Sequence, residues 1–107
     1  DLLAAIAEDQ GFEYELKSLG WDAAIAACQS GQADAMIAGA SITDERKQSV
    51  LFSDPYFTST QVVILPEGSE IATIDDLKGK KIGVQLGTTG DIYVTENIEG
   101  AEVSRYN

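Results

Sequence analysis

Histidine is absent from the 107-residue sequence, and cysteine and methionine occur once each, as Cys28 and Met36. A lone cysteine cannot close an internal disulfide, and without histidine it cannot complete a Cys/His zinc site. The same absence excludes Ser–His and Cys–His nucleophilic machinery. Positive charge is scarce, with 7 Lys plus Arg against 18 Asp plus Glu and a net charge of −11. So acidic a chain has little with which to neutralise successive phosphates. Nucleic acid is therefore excluded as a partner, and an anionic membrane surface is disfavoured on the same ground. No apolar run approaches the ~20 residues of a membrane-crossing helix. Asp75-Asp76 and Glu67/Glu70 read as solvated charges rather than a catalytic pair, because nothing around them suggests a raised pKa. Neither a metal nor a cofactor is expected.

Hydrophobic residues make up 44% of the chain, enough for a core and too many for a disordered tail. Their spacing predicts alternating elements. Residues 1–10 are rich in Ala and Leu and predict a helix, with Leu2 and Ile6 on one face and Gly11 as its C-cap. Residues 12–19 alternate, with Phe12, Tyr14 and Leu16 on one side, and predict a half-buried strand. Trp21, Ala24, Ile25 and Cys28 fall at helical spacing before Gly31. Residues 33–39 predict a short buried strand, and Thr43 a cap for a helix beginning at Asp44. The β-prone run 60–65 predicts another strand. Thr73 is expected to cap a small helix through 74–78 that Gly79 ends; strand 80–86, helix 91–98 and strand 101–107 follow. Five helices alternating with five strands imply α/β layers on mostly parallel sheets.

Three places offer binding chemistry. The first is Gly39 to Arg46, beyond the end of an expected strand, where open α/β sheets take their ligands. Gly39 lets a ligand approach the backbone, Ser41 offers a hydroxyl, and Arg46 offers a two-pronged donor matched to a carboxylate. The same residues would equally serve as a strand-to-helix turn with Arg46 paired to a surface acid. The second is Gly87-Thr88-Thr89-Gly90, a turn into a helix whose first N–H groups attract anions, or whose threonines simply cap it. No Gly-Lys-Ser/Thr follows, so it is not a nucleotide-phosphate loop. The third is Trp21, a rigid wall for a ligand side chain or a core residue beside Ile25 and Cys28.

The segment GASITDERKQSVLFSDPYF resembles the signature of polar amino-acid-binding proteins, the solute receptors of ABC importers. SGQADAMIAG and TIDDLKGKKIGVQLGTTG are similar to the segments that precede the signature and open the second lobe in that family. The resemblance spans essentially the whole chain. It implies a periplasmic-binding-protein-like, type II, α/β architecture of two lobes, with 1–55 in the first, 56–60 as a hinge strand and 61–107 in the second. It further implies that Arg46 grips an α-carboxylate with help from Thr89 in the Thr88-Thr89 loop. Gly39, through its carbonyl, and Ser41 would hold the α-ammonium. Trp21 would pack on the ligand side chain, and Gln85 would lie near it. The implied partners are a free amino acid and an importer permease, outside the cytoplasm, with the signal segment lying beyond these residues. No catalysis is implied. Enzymes on the same fold (dehydratase-like, or modules of lytic transglycosylases) and sensor domains are the competing readings. Measured against the family pattern, the chain is expected to be incomplete at both ends and, on its own, to self-associate by strand exchange.

Overall fold

In the computed structural model, which describes residues 1–107, five helical segments and two strands form. Helix α1 covers Leu2–Gln10, α2 Trp21–Gln29, and α3 Asp44–Lys47. A 3-10 turn covers Asp75–Leu77, followed by strand β1 (Lys81–Gln85), helix α4 (Thr89–Asn97) and strand β2 (Glu102–Tyr106). No helix is long and apolar enough to cross a membrane. The chain divides into two units, Asp1–Ala40 and Ser41–Asn107.

In the first unit, α1 ends as its sequence dictates. Gly11 adopts φ 71, ψ 42, and its N–H donates to the Ala7 carbonyl at 2.8 Å, satisfying one of the last-turn acceptors. The covered face is not the expected one: Ala7 is buried and Leu3 half-buried, while Leu2 and Ile6 stay exposed. In α2 the anticipated stripe holds, with Trp21, Ala24, Ile25 and Cys28 partly covered around buried Ala27. Residues 12–19 and 33–39 form no strand. Alternation supplies a face but not a ladder, and Phe12, Tyr14 and Leu16 remain exposed.

The second unit is organised by one β–α–β element. Strands β1 and β2 are parallel, with Ile82 opposite Val103 and Val84 opposite Arg105. A parallel pair needs a crossover, and α4 supplies it. Ile82, Val84 and Val103 turn one face toward buried Val94 of α4 and Ile98 just past its end, and Leu77 of the 3-10 turn completes the cluster. Asp91, Val94 and Ile98 recur at i, i+3, i+7, so the buried stripe of α4 begins with a carboxylate. Thr73 does not cap the 3-10 turn. The Asp76 carboxylate instead accepts from the Ala72 and Thr73 N–H groups at 3.0 and 2.8 Å and from the Thr73 hydroxyl at 2.9 Å. Those bonds, the Ala72 N–H first, hold the Asp76 carboxyl below the ordinary aspartate range.

The run 60–65 also forms no strand, nor do residues 56–60. Leu51, Phe57, Val62 and Ile64 are 99%, 79%, 78% and 92% exposed, so this stretch has apolar side chains but no covering layer among these residues. Two strands thus replace the five expected. A strand persists only where a neighbour takes up its N–H and C=O groups, and three of the anticipated strands find none here.

Candidate functional site

The site grows from two turns of the second unit. The first leads into α3. Thr43 is extended, and its hydroxyl accepts from the Arg46 N–H at 3.2 Å, which starts the helix and fixes where Arg46 leaves it. The second is the turn between β1 and α4. Gly87 takes φ 73, a backbone state an L side chain resists, and Thr88 then caps α4 by accepting from the Asp91 N–H at 3.4 Å.

Arg46 joins the two turns. Its Nη1 donates to the Ser41 carbonyl at 2.9 Å and its Nη2 to the Gly87 carbonyl at 3.1 Å. A guanidinium held by two carbonyls is aimed before any ligand arrives. Thr89, next to this turn, receives a bond at 3.0 Å from the Gln61 side-chain amide. A hydroxyl that accepts in this way keeps its proton to donate, the polarity an anion requires. Arg46, Gly87 and Thr89 line one open cleft of about 480 Å³, with Ile92 and Tyr93 as its apolar wall and Glu45 and Glu96 among its acids. The volume falls within the range of small-molecule sites. One guanidinium beside carboxylates suits a zwitterion better than a dianion.

The residues singled out in the sequence are thus distributed unevenly. Arg46 and Thr89 share the cleft, and Ser41 contributes its carbonyl to Arg46. Thr88 spends its hydroxyl on capping, accepting from Asp91 and donating to the Gln85 carbonyl at 2.8 Å. Gln85 ends β1, with its side chain exposed. Trp21 opens α2 and Gly39 lies near the end of the first unit. No group of three or more metal-ligating side chains comes together.

Sequence reasoning missed a second layer behind the Gly87 turn. Asp91, 6% exposed, accepts from the Gly87 N–H at 3.1 Å and from the Thr95 hydroxyl at 3.2 Å. Arg105 Nε donates to both Asp91 oxygens, at 2.9 and 3.1 Å, and its Nη2 to the Thr95 hydroxyl at 2.9 Å. The Arg105 bond, then the Gly87 and Thr95 bonds, outweigh burial and hold the Asp91 carboxyl below the ordinary aspartate range. The legible signal was Thr88-x-x-Asp91, the spacing by which a cap and an acid three residues on mark a helix start. Nothing local pointed to Arg105 or Gln61.

A β–α–β element with an arginine held by two carbonyls beside a small cleft places the chain in the α/β class. Residues 1–103 match the family model of the bacterial extracellular solute-binding proteins, family 3, and the chain belongs to that family. It is 46% identical over 97 residues to a probable histidine-binding protein of Neisseria gonorrhoeae, covering 90% of this chain and 36% of that protein. It is 39% identical over 104 residues to the L-cystine-binding protein TcyJ of Escherichia coli, covering 95% of this chain and 39% of that one. An ancestral arginine-binding protein solved with arginine superposes with a TM-score of 0.91 at 44% identity, over 98% of this chain and 48% of that one. The fold is therefore α/β and periplasmic-binding-protein-like. The chain spans less than half the length of these relatives. They are binding proteins, named for different amino acids.

Proposed function

We propose that this chain contributes to an extracytoplasmic receptor that binds a free amino acid between two lobes of type II architecture and delivers it to an ABC importer permease. The observation that carries the reading is Arg46, pinned by the Ser41 and Gly87 carbonyls on a cleft that also holds Thr89. In this reading Arg46 pairs with the ligand α-carboxylate and Thr89 donates a second bond from the Thr88-Thr89 loop. The Gly39 carbonyl and Ser41 take the α-ammonium, Trp21 packs on the side chain, and Gln85 lies near it. Lobe 1 takes 1–55, the hinge strand 56–60, and lobe 2 61–107. Arg46 and Gly87 then belong to different lobes, and the anchor is set where the two meet. The relatives' names, for histidine, cystine and arginine, support an amino acid as the ligand class.

The exposed apolar stretch 51–64 fits a segment that pairs with a further strand in the working receptor. When the 107 residues stand alone, the proposed substitute is strand exchange with a second copy, which light scattering would report as a dimer or larger species. The function itself is tested by melting the full-length protein against a panel of L-amino acids and their α-carboxamides. A ligand at a hundred times its Kd adds about 2.7 kcal/mol to the stability of the folded state. At least one amino acid should raise the melting temperature while its amide does not. A panel without effect would overturn the reading.

A further inference from the structure

We infer that the Asp91–Arg105 pair is a positioning device for the ligand anchor: it sets the Gly87 turn, and through the Gly87 carbonyl the aim of the Arg46 guanidinium. The inference deepens the proposed function and rests on that reading for its effect on affinity, though not for the mechanical link itself.

The link runs through consecutive hydrogen bonds. Arg105, on β2, holds both Asp91 oxygens at 2.9 and 3.1 Å. Asp91 Oδ2 accepts from the Gly87 N–H at 3.1 Å, and the Gly87 carbonyl accepts from Arg46 Nη2 at 3.1 Å. Arg46 Nη1 is tied at its other side to the Ser41 carbonyl. Both polar groups of Gly87 are thus engaged, one by the buried pair and one by the anchor. At φ 73 Gly87 has the broad conformational freedom of a glycine, and these two bonds act on its orientation beside the bonds from Thr88 to the Gln85 carbonyl that close the turn. Arg105 is the strand residue opposite Val84, close to the end of β1 from which the turn departs. Asp91 is buried and Arg105 only partly covered. A carboxylate placed there without a cation would turn toward solvent and release the Gly87 N–H.

The test has two readouts on the full-length protein. In ligand-free nitrogen-15 NMR spectra, Arg105→Ala and the milder Asp91→Asn should shift the Gly87 amide and the Arg46 guanidinium signals while the amides of Leu77 and Ile98 keep theirs. Unchanged Arg46 signals would overturn the inference whatever the protein binds. In titrations with L-arginine or L-histidine and the matching α-carboxamides, Arg105→Ala should weaken binding of the acid by about tenfold, as loss of a supporting partner does. Binding of the amide should change far less, so the acid-to-amide preference shrinks. Arg105→Lys should restore part of it. Equal weakening of acid and amide would mark a structural role only and refute positioning. A wild-type protein that responds to no L-amino acid of the panel, while its variants still show the Arg46 shift, would overturn the amino-acid reading and leave the mechanical link supported.

Discussion

Two β-prone stretches of the second unit meet opposite fates. Ile82 and Val84 of β1 pair with β2 and pack on α4. Val62, Val63 and Ile64 form no ladder and remain exposed. Propensity is comparable, since both runs are β-branched. The difference is the neighbour. The crossover helix returns the chain beside β1 within twenty-five residues, whereas no segment of these 107 residues comes alongside 60–65 to form a ladder. Strand formation is a property of pairs, and the β–α–β element is the one place where this chain brings both members.

The contrast can be tested by weakening the ordered region. The largest effect should come from Ile98→Ala, which opens a hole in the Leu77–Val94–Ile98 cluster. Denaturant melts should show a loss of about 2–5 kcal/mol, the range for large-to-small core changes. A negligible loss would place the organising core elsewhere.

Asp91→Asn should have a smaller, pH-dependent effect. Because the folded-state carboxyl is held below the ordinary value of 3.8, its contribution is fully present above that value and is lost as pH falls through the folded one. The variant should melt several degrees below wild type near neutrality, and the gap should close in acid, where the native aspartate also becomes neutral. A gap independent of pH would mean that packing, not the ion pair with Arg105, accounts for the loss.

Lys81→Ala should have the smallest effect. Lys81 and Glu102 approach at 3.7 Å across the ladder with both side chains largely exposed. Melts should move by less than about 0.5 kcal/mol, as for most surface pairs. A larger change would assign the stability of this sheet to surface charge instead of the core.

Much of this was written locally. Gly11, Thr43 and the Gly87 turn sit where the sequence put them, because caps and turns are decided by a few adjacent residues. The helical stripe from Trp21 to Cys28 and the strand at Ile82–Val84 were legible from periodicity. The strands at 12–19, 33–39 and 60–65 were not decidable, since their formation depends on partners that no local pattern names. In the site, Arg46 and Thr89 were legible as chemistry and Thr88 only as one of two roles. The bond from Gln61 to Thr89 and the clamp of Arg105 on Asp91 join residues 28 and 14 positions apart, a distance at which periodicity says nothing.

Calorimetric titration of the full-length protein and its Arg46→Ala variant measures most directly whether Arg46 is the carboxylate anchor. With the amino acid that wild type binds, the variant should lose about 2–5 kcal/mol of affinity, because a charge-assisted pair disappears and a carboxylate is left without its partner. Affinity for the same amino acid unchanged in a folded Arg46→Ala protein would contradict the account.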